Sequence, residues 1–272
     1  MLSRIWTESI LGIWFPDGLP VGFAVLFSLI PLAVGYLLGS VNTSVLLSKL
    51  VYHDDIRKYG SGNAGMTNVM RTWGKGAAAV TLIGDLAKTA LAILLGGLFM
   101  GENGAYLAGF AAVCGHVWPC FFGFKGGKGV AASLALVLFT EPILALILVF
   151  VFVCIVAMTK FISLGSVMCV LMYPLFLNRI YLLLHHTEGV PFIPTLVSFC
   201  VMVLVIARHR ENIQRLLKGK ENKFSFKKSV KPKTSEADSE TDSAPRSEHP
   251  DPNTSKKKQK QKQKQKKENR QQ

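Results

Sequence analysis

The segment from Gly60 to Arg71 combines glycines, neutral hydrogen-bonding side chains and one arginine. Gly62 and Gly65 permit a tight backbone path, in which N–H groups would be free to point at one anion. Arg71 adds a guanidinium group that can bind two oxygens of a phosphate at once. The neutral candidates for binding the same anion are Ser61, Asn63, Thr67 and Asn68. A polar turn that only caps a helix is the alternative interpretation, and spacing alone does not separate the two.

A second glycine-rich segment surrounds Lys128. Gly126, Gly127 and Gly129 flank this lysine just before a predicted helix. The combination suits a phosphate bound by backbone N–H groups, by the helix dipole and by the ammonium group. It is not a Walker A loop, because Phe122 stands where that pattern needs glycine and Gly129 where it needs serine or threonine. A flexible basic turn is the alternative, although it explains the lysine and not the glycines.

A third polar segment, Arg208 to Ile213, ends the last apolar run. His209 and Asn212 are separated by about one helical turn and would share a face of a helix. His209 could act as a base, donate to a phosphate or simply lie at the membrane interface. Ser163 and Ser166, at the start of the preceding apolar run, could line the same pocket, although serine is common in membrane helices.

Two charged residues lie inside an apolar run, where charges are costly and usually paired or functional. Asp85 and Lys88 are three positions apart. We expect an internal ion pair that supports the site, in preference to direct catalysis. His116, in the next apolar run, is expected to be a structural histidine with its hydrogen bonds satisfied.

Long apolar runs connect these polar segments and predict an all-α, polytopic membrane protein with about seven transmembrane helices. The predicted spans are Val21 to Leu50, Ala77 to Met100, Ala105 to Phe122, Val130 to Phe139, Ile143 to Met158, Ile162 to Leu184 and Phe192 to Ala207. The short fourth span cannot cross the hydrocarbon unaided, so we expect a half-helix buried among its neighbours. Lysine and arginine occur in alternate loops, which places the N-terminus outside and the tail in the cytoplasm.

The net charge of +14 comes largely from the part of the chain that follows the apolar runs. We predict three regions: an N-terminal interfacial or disordered segment (1–19), a transmembrane catalytic domain (20–217) and a disordered Lys/Gln-rich cytoplasmic tail (218–272). The tail is expected to contact anionic membrane lipids, and no nucleic acid partner is expected. All five cysteines lie in apolar segments without a CxxC pair, so they predict neither a disulfide framework nor a metal site.

The three polar segments together resemble the signatures of the bacterial acyl-phosphate:glycerol-3-phosphate acyltransferases, the PlsY family. The run Gly60 to Arg71 is similar to the first signature, His116 to Pro119 with Phe124 to Val130 to the second, and Arg208 to Ile213 to the third. The resemblance covers roughly Gly35 to Leu217. It departs from the family pattern at Met66, where a small residue is usual, and in the long Lys/Gln tail.

The resemblance implies transfer of a fatty acyl group from acyl phosphate to the 1-hydroxyl of sn-glycerol 3-phosphate, giving lysophosphatidic acid and phosphate, the first step of phospholipid biosynthesis. It implies an enzyme of the cell inner (plasma) membrane that uses no metal, cofactor or acyl-CoA, and we expect no obligate protein partner. We expect Lys128, Ser61, His209 and Asn212 to be catalytic and the other polar-segment residues to bind substrate. A transporter or channel for a small phosphorylated anion is the alternative, although we find no paired halves with broken helices.

Overall fold

The computed structural model describes residues 9–15, 20–184 and 189–224, and the regular elements within these ranges are helical. In chain order the helices are α1 (Ile10–Trp14), α2 (Val21–Ser40), α3 (Thr43–Val51), α4 (Met66–Trp73), α5 (Lys75–Val117), α6 (Val130–Thr140), α7 (Pro142–Thr159), α8 (Ile162–Leu184), α9 (Phe192–Arg208) and α10 (Arg210–Leu217). Two short 3-10 turns, Ile56–Lys58 and Cys120–Phe122, lie in the connections. The all-α prediction is confirmed for this part of the chain.

The first predicted span is interrupted between α2 and α3. Asn42 begins α3 by accepting a hydrogen bond from the Val45 N–H at 3.1 Å, so its side chain replaces a helical backbone partner. At the break, the Val41 carbonyl accepts a hydrogen bond from Lys88 Nζ at 2.8 Å. The region Gly22–Val51 is still long and apolar enough for one membrane crossing, but it is built from two helices.

Helix α5 folds back on itself at Met100 and Gly101, whose backbone angles are not helical. A Cβ atom added to Gly96 would lie 2.3 Å from the Gly104 carbonyl oxygen. In a straight helix, residues eight positions apart are separated by about 12 Å. The two arms of α5 are therefore packed against each other, which agrees with the predicted boundary between the second and third spans.

Close packing between α2 and α5 depends on two glycines. A Cβ atom on Gly35 would lie 2.2 Å from the Ala108 carbonyl oxygen, and one on Gly39 would lie 2.2 Å from that of Ala112. Side chains larger than hydrogen would push the two helices apart. Gly35 and Gly39 are four positions apart in the sequence, a small-xxx-small spacing that predicts close helix packing, and the structure confirms it.

Four helical regions in the described ranges are long and apolar enough to cross a membrane, or five if α9 and α10 form one bent span. The figure of seven spans therefore stays a prediction. Helix α6 has 11 residues, which is about 16 Å and too short to cross alone. Its residues Ala132, Ala135 and Leu136 are fully buried, as expected for a half-helix held among its neighbours.

The predicted terminal regions are described only in part. In the N-terminal segment, Ser9 caps the short helix α1 by accepting from the Gly12 N–H at 3.1 Å. The predicted tail is described from residue 218 to residue 224, and its remainder lies outside the described residues.

Candidate active site

Asn68 builds the loop of the first polar segment. Its side-chain oxygen accepts from the Ser61 N–H at 3.1 Å, and its nitrogen donates to the carbonyl oxygens of Ile56 and Tyr59 at 3.2 and 2.9 Å. Gly60 has a φ of 53°, and a Cβ atom there would lie 2.4 Å from Asn68 Oδ1. Asn68 therefore holds the loop in shape, and all three of these contacts are internal to the protein.

The backbone of this loop offers less to an anion than the sequence predicts. The Gly62 N–H donates to the Tyr59 carbonyl at 2.9 Å, and the Gly65 N–H to that of Asn63 at 3.1 Å. With the Ser61 N–H already bonded to Asn68, the prediction of free N–H groups is wrong for these three residues. Tight glycine turns satisfy their own backbone, which residue spacing cannot reveal.

The second polar segment packs closely against the first. The Gly126 and Gly127 N–H groups donate to the carbonyl oxygens of Val117 and His116 at 3.2 and 3.0 Å. A Cβ atom on Gly127 would lie 2.0 Å from His116 Nε2 and 2.9 Å from the Ala64 carbonyl oxygen. The prediction that these two N–H groups cradle a phosphate is therefore wrong, and both glycines serve close packing.

Asp85 and Lys88 form the predicted internal ion pair, with Lys88 Nζ 2.9 Å from Asp85 Oδ1. His116 is 3% exposed, and its Nδ1 lies 3.1 Å from Lys88 Nζ, as expected for a structural histidine. Thr43 Oγ1 donates to Asp85 Oδ1 at 3.1 Å. Because Lys88 also donates to Val41, the pair joins the α2–α3 break to α5, and His116 connects the pair to Gly127.

Arg57, which sequence reasoning missed, joins the first two polar segments. Its guanidinium group forms a two-point contact with Asp55, the shorter distance being 2.7 Å. It also donates to the Phe122 carbonyl at 2.6 Å. The opposite charges of Asp55 and Arg57, two positions apart, were the available signal in the sequence. They do not indicate that Arg57 reaches the Phe122 carbonyl.

The centre of the candidate site is a cluster formed by Lys128, Asn212 and Glu221 with two further donors. Lys128 Nζ donates to Asn212 Oδ1, and Asn212 Nδ2 donates to Glu221 Oε1 at 2.7 Å. Ser163 Oγ donates to the same carboxylate oxygen at 2.9 Å, and Arg215 Nε to Oε2 at 2.8 Å. We call these five residues the Glu221 cluster. It joins α8, α10 and the loop before α6.

The electrostatics of this cluster favour an anion. Burial, reinforced by Arg215, lowers the pKa of Lys128 to about 8, and Arg71 also acts in this direction. Burial likewise lowers the pKa of Arg71, which lies within electrostatic range of Arg215 and Glu221. Three cationic side chains thus face the buried carboxylate of Glu221, while the second carboxylate within range, that of Glu211, is exposed. The surplus of positive charge would be balanced by a phosphate dianion.

Glu221 and Arg215 are the functional candidates that sequence reasoning missed. Burial alone would raise the pKa of the Glu221 carboxyl, but hydrogen bonds from Asn212, Arg215 and Ser163 lower it below its usual value. Glu221 follows the predicted end of the catalytic domain at Leu217. Arg215 carried a weak signal, because it lies three positions after Asn212 on the same helix.

The remaining predicted site residues are only partly gathered around this cluster. His209 is 2% exposed, and its Nδ1 donates to the Val205 carbonyl at 2.8 Å, which leaves Nε2 as an acceptor. Ser166 Oγ donates to Ile162 within its own helix at 2.9 Å, so its predicted place in the pocket is not supported. Ser61 is exposed, Asn63 and Thr67 are half-buried, and Gly129, with a φ of 85°, precedes the first residue of α6.

Within the described ranges, no group of three or more histidine, cysteine, aspartate or glutamate side chains could hold a metal ion. The fold and the site together define a helical membrane protein with a candidate anion site at one end of its bundle.

Comparison with known proteins identifies the family. The profile described as glycerol-3-phosphate acyltransferase matches residues 29–219. The chain belongs to this family, and it is therefore a membrane acyltransferase and not the transporter considered above.

Relatives named glycerol-3-phosphate acyltransferase include those of Thermoanaerobacter pseudethanolicus and Clostridioides difficile. The first is 40% identical over 206 residues, covering 76% of this chain and 100% of the relative. The second is 41% identical over 210 residues, covering 75% and 98%. The similarity thus extends over essentially the whole length of both relatives.

Two crystal structures of the integral membrane glycerol 3-phosphate acyltransferase PlsY (YgiH) resemble this fold. The glycerol 3-phosphate form has a TM-score of 0.66 and 35% identity, covering 73% of this chain and 96% of that one. The lysophosphatidic acid form has a TM-score of 0.64 and 34% identity, with the same coverage. The fold assignment therefore agrees with the family assignment.

Proposed function

We propose that this chain transfers a fatty acyl group from acyl phosphate to the 1-hydroxyl of sn-glycerol 3-phosphate, releasing lysophosphatidic acid and phosphate. The observation that carries the proposal is the grouping of Lys128 and Arg215 around Asn212 and Glu221, with Arg71 within electrostatic range of Lys128. Both substrates carry a phosphate group, and the site has a surplus of positive charge. The related PlsY structures were obtained with glycerol 3-phosphate and with lysophosphatidic acid, which are the acceptor and product proposed here.

In this reaction the 1-hydroxyl oxygen attacks the acyl carbon, and the bond between that carbon and the phosphate oxygen breaks. Acyl phosphate is already activated, so the enzyme must mainly position its substrates and stabilise the charge of the leaving phosphate. In this proposal Lys128 neutralises that charge. The hydroxyl proton passes to the substrate's own phosphate or to His209 Nε2, the nitrogen that does not donate to Val205.

We assign the other candidates roles that agree with the contacts described above. Arg71 and Asn212 orient glycerol 3-phosphate, and Ser163 contributes its hydroxyl group beside them. Ser61 and the exposed face of its loop receive acyl phosphate. Gly62, with a φ of 70°, permits the tight turn of its loop, and Gly126 and Gly127 allow close backbone packing. The Asp85–Lys88 pair supports the Gly127 loop through His116.

We also propose that the enzyme is a multi-pass protein of the inner (plasma) membrane with the Glu221 cluster on the cytoplasmic side. Lys125 and Lys128 lie in the loop before α6, and Lys128 and Arg215 share the Glu221 cluster; such cationic residues favour the cytoplasmic side. With the seven spans predicted from the sequence, the N-terminus is then outside the cell. In this orientation the site is accessible to a water-soluble phosphate ester and adjacent to membrane lipids that could supply the acyl chain.

The donor is tested by assaying the purified protein in lipid with palmitoyl phosphate or palmitoyl-CoA, each with and without glycerol 3-phosphate. We expect equal amounts of lysophosphatidic acid and phosphate from palmitoyl phosphate, and neither product when the acceptor is omitted. Turnover of palmitoyl-CoA at the same or a higher rate would overturn the proposed donor. Release of phosphate without acyl product would instead indicate a hydrolase.

A further inference from the structure

Glu221 is a buried carboxylate with three hydrogen-bond donors from two helices. Its side chain is 6% exposed, and it accepts from Ser163 of α8 and from Asn212 and Arg215 of α10. Burial of a carboxylate is costly unless its oxygens are hydrogen-bonded. With its donors in place, Glu221 can remain ionised within the site.

The backbone around Glu221 is held on both sides. After α10, Gly219 adopts a φ of 64°, and the Lys220 N–H donates to the Arg215 carbonyl at 2.7 Å. On the other side, the Phe224 N–H donates to the Lys160 carbonyl, between α7 and α8, at 2.6 Å. The carboxylate is thus a fixed part of the site.

The Glu221 carboxylate determines which way the Asn212 amide faces. A carboxylate only accepts hydrogen bonds and an ammonium group only donates them. Asn212 therefore turns its nitrogen to Glu221 and its oxygen to Lys128, and the reverse orientation would lose both hydrogen bonds. Replacing the Glu221 carboxylate by an amide, which both donates and accepts, would remove its part of this constraint and leave only that of Lys128.

We propose that Glu221 is a positioning residue of the acyltransferase: it holds the Asn212 oxygen toward Lys128, and its negative charge keeps Lys128 as an ammonium ion. This inference rests on the proposed function. It assigns Glu221 an electrostatic role in the reaction in addition to its packing contacts.

The charges around Lys128 determine how its pKa should change when Glu221 loses its charge. Arg215 and Arg71 lower the pKa of Lys128, whereas Glu221 and Glu211 raise it. His209 also lies within electrostatic range. The Glu211 side chain is 74% exposed, so water screens its charge, while Glu221 is buried. Of the two carboxylates, Glu221 should therefore dominate.

The test measures the pH dependence of lysophosphatidic acid formation by wild type, Glu221→Gln and Glu221→Asp. The alkaline limb, where Lys128 loses its proton, should move to lower pH by about one unit in Glu221→Gln. Glu221→Asp keeps the charge and should keep the limb near its wild-type position, even if kcat falls. Glu211→Gln, the matched control, should leave both the limb and kcat nearly unchanged.

An unchanged limb in Glu221→Gln would overturn the inference, whether or not kcat falls, because a purely structural role would not move the limb. If Glu221→Gln does not fold, Arg215→Gln replaces it. Loss of that positive charge should move the limb to higher pH, and a limb that stays in place would again contradict the proposal. An inactive wild-type protein would refute the proposed function itself, which separates the two failures.

Discussion

Lys128 donates a hydrogen bond to Asn212, which lies 84 positions later in the sequence. This contact joins the glycine-rich loop before α6 to the short helix α10. Asn212 also donates to Glu221, and the ammonium group lies within electrostatic range of Glu221, Arg71 and Arg215. The contacts and charges of this site predict how the activity depends on pH and how it responds to substitutions.

The protonation of Lys128 predicts how activity depends on pH. Its pKa in the folded protein is about 8, lowered mainly by burial, so the ammonium form is present below that pH and lost above it. We expect kcat/KM for glycerol 3-phosphate to fall as pH rises through about 8. Initial rates between pH 6.5 and 9.5 at constant ionic strength would measure this. A value that stays constant up to pH 9.5 would contradict the assignment.

The internal ion pair predicts a large effect on stability. Lys88→Met leaves Asp85 as a buried charge without its partner lysine, which typically costs about 3–5 kcal/mol. The apparent melting temperature in detergent should fall by roughly 10 °C. Lys58→Met is the matched control, because Lys58 also pairs with an aspartate but its side chain is 70% exposed, against 7% for Lys88. Equal melting temperatures for the two variants would show that the buried pair is not stabilising.

The contact between Gly127 and His116 predicts that even one methyl group is damaging. In Gly127→Ala the added carbon would lie 2.0 Å from His116 Nε2, so the loop that carries Lys128 must shift. We expect activity to fall by at least about tenfold, because small displacements of a catalytic group are costly. Gly76→Ala, where the added carbon meets nothing within 4 Å, provides the control. Wild-type activity in Gly127→Ala would mean that the loop position is not critical.

The sequence predicted the polar segments and the helical architecture well, because both depend on local patterns. Glycine spacing at Gly35 and Gly39 predicted close helix packing, and the charges at Asp85 and Lys88 predicted a buried pair. Both patterns are informative, because an unpaired charge in a membrane helix is costly and because only small residues let two helix backbones approach closely. The break at Asn42 left a weaker signal, since a capping asparagine is common outside membrane spans as well.

Features that depend on tertiary contacts were not predictable. Whether the N–H groups of Gly62, Gly126 and Gly127 are available depends on which carbonyl oxygens lie opposite them, and spacing does not contain that information. Glu221 belongs to a polar stretch after α10 that resembles the beginning of a solvated tail. Only the fold shows that its side chain turns back toward Ser163 and Asn212.

The central claim is that Lys128 neutralises the phosphate released during acyl transfer. The most direct measurement compares lysophosphatidic acid formation from palmitoyl phosphate and glycerol 3-phosphate by Lys128→Met and Lys125→Met. Lys125 lies three positions earlier with an exposed side chain, so it controls for loss of positive charge in the same loop. We predict that Lys128→Met loses at least about 100-fold in kcat/KM while Lys125→Met stays close to wild type. Similar rates for the two folded variants would contradict the account.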